Sequence, residues 1–360
     1  MNQFLCNMEN QFSFYAKALF YEKLDDGSID CLLCPHRCNI KLDNYGKCKV
    51  RKNEKGNLIT YSWGHSSGLA IDPIEKKPFF HFKPGSKVLS FGTRGCNLRC
   101  ENCQNWELSS YKKEDNKNLS KFVLTPIEIA NSAVANSCQG IAYTYSEPTI
   151  FFEYAYDVIK ETRELDSSLF HVFVSNGFMS DDLIDFIIKE KLIDAINIDL
   201  KFFNDDLYQK ITGGSLAPVL NSIERFYRAG VHIEIINLVI SGLNDYDKDF
   251  EEIAGFIKSI SPTIPLHFNR FHPAYQMKDR VATELKRLIK AREIAKVAGI
   301  YYVYIGNTGL DDALDTSCHN CGNLLIARDR YHISKNIFNS IRREVTPHCP
   351  FCKSELNLIL

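Results

Sequence analysis

No apolar run in this 360-residue chain is long enough to span a bilayer. The opening MNQFLCNMENQF has no basic stretch leading into an apolar one, so no secretory leader is expected. Surplus charge is missing as well: 43 basic residues face 44 acidic ones, a formal net charge of −1. That balance carries no electrostatic footprint for a nucleic acid, and no membrane partner is expected. The chain has no internal repeat and no low-complexity segment, and the charged stretch KKEDNKN at 112–118 reads as a solvated loop. What remains, 45% hydrophobic and 24% charged residues, describes a globular cytoplasmic protein with a large core and one or two domains.

Cysteine is not scarce. There are 13, and they are clustered. Secreted disulfide proteins of this length rarely group thiols as C-x2-C and C-x3-C; in a reducing cytosol such groups point to metal or redox chemistry. Eleven fall into three sets: Cys31, Cys34, Cys38 and Cys48; Cys96, Cys100 and Cys103; and Cys318, Cys321, Cys349 and Cys352. Cys6 and Cys138 are left over as unligated thiols, with Cys138 buried at the close of an apolar helical stretch.

Residues 12–24 carry apolar side chains at 12, 15, 16, 19 and 20, a spacing that predicts an amphipathic helix. A cysteine-rich, strand-poor segment is expected from there to about residue 70. Then a rhythm sets in. Strands are predicted at 88–93, 140–145, 170–175, 195–200, 232–240, 265–270 and 301–306, with helices near 126–138, 149–164, 180–191, 217–229, 246–259 and 279–298. Thr125-Pro126-Ile127-Glu128 has the residues of a capping box with proline at the first helical position. Strands separated by crossover helices imply a parallel α/β sheet, here a (βα)6-type partial TIM barrel, with chemistry at the C-terminal strand ends. The rhythm stops near residue 312. The expected domains are a helix and Cys-rich module over 1–70, a barrel over 75–312 and a zinc-ribbon-like tail over 313–360.

Directly after the first strand of the rhythm comes GTRGCNLRCENCQNW, with Cys96, Cys100 and Cys103. Thiolates bind iron–sulfur clusters. Three of them on a four-iron cluster leave one iron open for a small chelating molecule, as a catalytic zinc keeps one position free. The bland alternative is a structural zinc or a chance grouping with a fourth ligand from elsewhere.

GCNLRCENC resembles the cluster loop of radical S-adenosylmethionine (radical SAM) enzymes. CLLCPHRCNI, GKCKVR, PIEKKPFFHFKPGS, CQNWELS, AYTYSEPTIFFEY and the closing CxxC pairs narrow the resemblance to the radical SAM component of the AmmeMemoRadiSam system, a group related to pyruvate formate-lyase activating enzymes. The resemblance implies a [4Fe-4S] cluster on Cys96, Cys100 and Cys103, with SAM chelating the open iron. It implies reductive cleavage of SAM to methionine and a 5′-deoxyadenosyl radical that abstracts hydrogen from a substrate. The superfamily usually places an aromatic residue just before the third cysteine, near the SAM adenine. Asn102 stands there in this chain, which leaves Trp106 or a later aromatic as the candidate for that role.

The same resemblance nominates SAM contacts. Ser146 and Glu147 occupy the positions of a Gly-Gly-Glu-Pro-like turn, although Glu147 could equally cap the helix that follows. Ser175 and Asn176 lie in a turn like the superfamily's TNG. Asp199 and Lys201 match a DLK element; they fall on one side of an extended strand and could hold ribose hydroxyls and a carboxylate, or form a simple strand-end ion pair. Asn237 is nominated for the methionine or ribose part of SAM, with a satisfied core amide as the alternative. His267, Asn269, Arg270 and His272 suit a pocket, His81 reads as structural, and Phe79, Phe80 and Phe82 as core.

Cys318, Cys321, Cys349 and Cys352, two CxxC knuckles around a hairpin-rich insert, read as a closed zinc site; a rubredoxin-like iron is the alternative. Cys31, Cys34, Cys38 and Cys48 supply four thiols with His36 between them. They suit either zinc or a second four-iron cluster, and zinc is slightly favoured because a small segment needs a staple. The expected partners are a flavodoxin- or ferredoxin-like reductant and the other components of the named system. Two rival functions stand beside this one: a glycyl-radical activating enzyme acting on a protein backbone, and a non-catalytic iron–sulfur or zinc carrier or docking scaffold.

Overall fold

Residues 15–24 are not helical. The structure, a computed structural model, describes residues 15–110, 123–339 and 347–360; Cys6, residues 12–14 of the expected helix and KKEDNKN lie outside them. The chain forms β1 (Ala16–Lys17) and β2 (Tyr21–Lys23), separated by Phe20 at φ 54°, which no right-handed helix passes through. β2 pairs with β3 (Ile29–Cys31), which pairs with β4 (Asn39–Ile40). β1 pairs with β6 (Asn57–Thr60), which pairs with β5 (Arg51–Glu54). The segment expected to be strand-poor is thus built of short antiparallel strands. Its apolar side chains find sequence-distant partners, and that pairing overrides local periodicity. Ile29, Leu33, Ile40, Val50 and Leu58 join the same apolar core as the barrel helices.

The main sheet has eight strands in the order β14-β13-β12-β11-β10-β9-β8-β7. β7 (Ser66–Pro73) is an antiparallel edge that the sequence reading omitted. The rest are parallel: β8 (Lys87–Thr93), β9 (Gly140–Tyr143), β10 (Phe170–Ser175), β11 (Ala195–Asp199), β12 (His232–Val239), β13 (Leu266–Arg270) and β14 (Val303–Gly306). After the short α1 (Trp106–Ser109), the crossovers are α2 (Pro126–Ala135), α3 (Phe152–Leu165), α4 (Asp181–Lys189), α5 (Asp205–Thr212), α6 (Leu216–Arg228), α7 (Asp247–Ile260) and α8 (Leu285–Ala298). Six strand–helix units and a closing strand match the partial-barrel expectation. The α2 capping box forms as its residues suggest: Glu128 accepts from the Thr125 backbone N–H at 2.7 Å. α5 was missed, although Asn204 caps it and Gly213 ends it in the left-handed region at φ 73°.

Residues 78–82 plug the N-terminal end of the barrel. Buried Glu234 on β12 accepts from the Phe80 and His81 backbone N–H groups at 2.9 and 2.8 Å and pairs with His267 at 2.8 Å. Phe79, Phe80 and Phe82 are buried, as expected of core residues. The tail adds β15 (Thr316–Ser317) and the hairpin β16 (Leu324–Asp329) and β17 (His332–Asn336), around a small core of its own. It is tied to the plug by a bond from Lys83 N–H to Ile359 O at 2.6 Å. No helix among the described residues is long and apolar enough to cross a membrane.

Candidate active site at the barrel mouth

The C-terminal ends of the parallel strands converge on one cavity of about 770 Å³. Cys96, Cys100 and Cys103 line it from the loop after β8, Ser146 and Glu147 from β9, Ser175 and Asn176 from β10, Asp199 and Lys201 from β11, and His267 from β13. Each of these was singled out from sequence, and the fold brings them to one place.

The cysteine loop is held by the helix the sequence reading missed. Arg99 N–H donates to Thr212 O at 2.8 Å and Glu101 N–H to Ile211 O at 3.1 Å, both carbonyls at the end of α5. Burial raises the Cys96 thiol pKa well above its ordinary value, and the Glu147 carboxylate adds to the effect. Cys100 is pushed up to about 11 by burial, against the pull of the Lys201 ammonium. Binding of a metal to such thiols would displace their protons into solvent. Leu98 N–H donates to Cys96 Sγ at 3.4 Å, the kind of bond that tunes a cluster sulfur.

Glu147 is buried and saturated with donors: Thr149 N–H at 3.0 Å, Thr149 Oγ1 at 2.7 Å, Ser175 Oγ at 2.7 Å and Asn176 N–H at 2.8 Å. It does cap the turn after it, and it also ties the β9 and β10 turns together. Burial raises its pKa, and those donors oppose the rise. Asn176 Nδ2 reaches Asn97 Oδ1 at 2.8 Å and so braces the loop. Lys201 pairs with Asp199 at 3.0 Å on the cavity wall. Burial works against the lysine's charge, but Asp199 and Cys100 outweigh it and hold the pKa above the usual lysine range.

Asn237 is placed elsewhere. It is absent from the cavity lining. Its Nδ2 donates to Leu200 O at 2.8 Å and Lys201 O at 3.2 Å, while its buried Oδ1 has no hydrogen-bond partner, so the amide is only half satisfied. It holds the turn that presents Lys201. Trp106 also lies off the cavity, stacked on Tyr275 at 5.2 Å. His272 bonds Asn307 O at 3.2 Å and is likewise outside, whereas Asn269 and Arg270 line the wall. His81 is buried in the plug, bonded to Tyr304 at 2.6 Å. Cys138 is buried.

Sequence reasoning missed a second polar group on the wall. Lys77 and Tyr145 line the cavity and share Asp72, at 2.7 and 3.0 Å. Burial pushes the Asp72 pKa up, but bonds from Lys76, Lys77 and Tyr145 hold it down at about 2. The KK of PIEKKP was the available signal, but nothing in the sequence says that Asp72 faces it. Arg330 and Tyr331, at the tip of the tail hairpin, close another side.

Three buried atoms of residues lining this space, Ser146 Oγ, Asn102 Oδ1 and Glu75 Oε2, have no hydrogen-bond partner. Three thiols, an unpaired hydroxyl, an unpaired amide oxygen and an Asp–Lys pair form a donor set that fits an iron–sulfur cluster carrying a polar, zwitterionic ligand. The tail cysteines form a different kind of site. Cys318, Cys321, Cys349 and Cys352 bring all four sulfurs within 4.8 Å of one another.

The family model described as the radical SAM superfamily matches residues 91–257. The chain is 38% identical over 345 residues to an uncharacterised protein of Methanocaldococcus jannaschii, covering 96% of this chain and 99% of that one. It is 23% identical over 231 residues to the pyruvate formate-lyase 1-activating enzyme of Escherichia coli, covering 61% and 90%. A radical SAM methyltransferase structure from Sphaerobacter thermophilus aligns with TM-score 0.48 and 17% identity, covering 68% of this chain and 71% of that one.

Proposed function

The chain is an enzyme of the radical SAM superfamily, related to pyruvate formate-lyase activating enzymes, and from that premise we propose that Cys96, Cys100 and Cys103 hold its [4Fe-4S] cluster, with SAM on the remaining iron. When bound, the cluster supplies an electron that cleaves SAM and releases a 5′-deoxyadenosyl radical for hydrogen abstraction. The observation that carries the reading is the convergence of these three thiols with Ser146, Asn176, Asp199 and Lys201 on a single cavity.

The chain's own residues bind and orient. Asp199 accepts from ribose hydroxyls, and Lys201 supplies the cation for the SAM carboxylate. The unpaired Ser146 Oγ accepts from the SAM ammonium. Glu147, with its four donors, keeps the Ser146 and Asn176 turns in register, and so acts as a positioning residue. Pro78 and Phe80 floor the chamber, and the tail hairpin walls it, which keeps water from the reacting groups. The tail cysteines hold zinc, because their Sγ distances of 3.6 and 3.7 Å suit four thiolates on a single ion.

The test is anaerobic. Reconstituted protein with dithionite and SAM is expected to release 5′-deoxyadenosine, and Cys96→Ala to release none; unchanged release in the variant overturns the loop assignment. A second reading is favoured by the relationship to activating enzymes: the hydrogen donor is a glycine of a protein backbone. A glycyl radical signal in a partner protein after mixing supports it, and labelled hydrogen recovered only from a small molecule excludes it. A flavodoxin- or ferredoxin-like protein is the proposed reductant, and the other components of the AmmeMemoRadiSam system are the proposed associates.

A further inference from the structure

Cys31, Cys34, Cys38 and Cys48 surround a second, enclosed cavity on the far side of the cysteine loop, walled also by His36, Arg51 and Asn97. The geometry points to a second four-iron cluster at this site, packed directly against the loop of the first.

The thiol spacing separates this set from the tail set. Zn–S bonds of about 2.3 Å put tetrahedral thiolates about 3.8 Å apart. The tail meets that requirement, with 3.6 Å for Cys318–Cys352 and 3.7 Å for Cys321–Cys349. Among the described residues only the tail set gathers its ligand atoms within 4.8 Å of one another. The four N-terminal thiols ring one space but stand wider, as they must when each binds a different iron of a cube.

Two further observations agree. Arg51 is fully buried and lines the cavity, and its Nε has no partner. Its other nitrogens bond Glu153 at 2.8 Å and Leu19 O. A guanidinium with an unpaired N–H in the wall of a thiolate ring complements the net negative charge of a cysteine-ligated cluster. Lys47 N–H donates to Cys38 Sγ at 3.5 Å, the same kind of N–H···S bond found in the loop.

The placement follows from one ring and one glycine. His36, between Cys34 and Cys38, bonds Asn97 O at 2.8 Å, and Asn97 stands between Cys96 and Cys100. Gly95 approaches so closely that a Cβ there would lie 2.9 Å from Cys48 O. The two thiol sets are therefore in direct contact through the loop backbone.

The decisive protein is the triple variant Cys96→Ala/Cys100→Ala/Cys103→Ala, reconstituted anaerobically with iron and sulfide. It is expected to retain about four irons and four sulfides per chain, with a reduced spectrum that ignores SAM. Iron at background with zinc near two per chain overturns the proposal. Because this readout uses protein without the loop thiols, a failure of the loop assignment leaves it standing. Should the triple variant not fold, Cys31→Ala/Cys34→Ala decides: iron is expected to fall from about eight to about four while zinc stays near one. A fall in zinc with iron unchanged overturns it. For placement, the fully reduced wild type is expected to show spin–spin broadening absent from both variants; a spectrum equal to their sum overturns the contact.

Discussion

The two ends of the chain each carry a set of four clustered cysteines, and they use them differently. In the tail the sulfurs close on a point, and the surrounding apolar residues, Leu325, Ile326, Phe338 and Leu356, form a core separate from the barrel's. At the N-terminal end the sulfurs ring a cavity, and Ile29, Leu33, Val50 and Leu58 belong to the barrel core itself. CxxC spacing alone predicts neither arrangement. What decides is what the knuckle packs against. A knuckle with its own core brings its four sulfurs to one point. A ring sharing a wall with the Cys96–Cys103 loop is held against it, through His36 and Gly95.

The largest expected effect breaks the comparison from the N-terminal side. Arg51→Met removes the buried guanidinium that pairs with Glu153 and leaves that side chain only the Leu19 N–H, which costs about 3–5 kcal/mol. Because the module shares the barrel core, urea unfolding monitored by far-UV circular dichroism should lose that stability in one transition. A separate early transition would show that the module is autonomous.

Acid sharpens the contrast next. His171, buried on β10, has its pKa lowered to about 3 by burial, below the ordinary 6.5, with Arg163 contributing. Between those values the unfolded chain binds a proton that the folded barrel does not, so stability falls as pH drops from 6.5 toward 3. At pH 5 this one group costs roughly 2 kcal/mol relative to pH 7. His171→Asn should flatten that part of the profile, measured as urea midpoint against pH. An equally steep profile in the variant would assign the acid sensitivity elsewhere.

The smallest global effect belongs to the tail. Cys349→Ser should release the tail ion and open residues 313–339 to protease, while barrel stability changes by about 1 kcal/mol. Loss of the whole fold would erase the distinction between the two ends.

The barrel was legible because its strands are buried on both faces and read as apolar runs; AINIDL and FHVFVS admit little else. The loop thiols drew attention by their spacing after a strand, the turn residues at the strand ends were nominated by resemblance to radical SAM enzymes, and the fold gathers them around one cavity. Residues 15–24 were misread because the apolar positions of 12–24 fit a 3.6-residue period, whereas the pairing of Ala16 with Thr60 joins residues far apart in sequence. Asn237 stands off the cavity lining, a placement the sequence does not give, because a polar residue late in a strand looks the same whether it faces a ligand or braces a turn. α5 was missed although Asn204, Asp205, Asp206 and Gly213 spell its start and stop. The wide thiol ring could not be seen at all, since spacing along a chain does not give distance across a cavity.

Arg330 and Tyr331 reach the reaction chamber from the tip of a hairpin that begins well after the last barrel strand. A truncated version ending at residue 312, made to isolate the catalytic half, would therefore be missing part of its fence. Solvent and dioxygen would enter from that side, and side reactions would compete with the intended one.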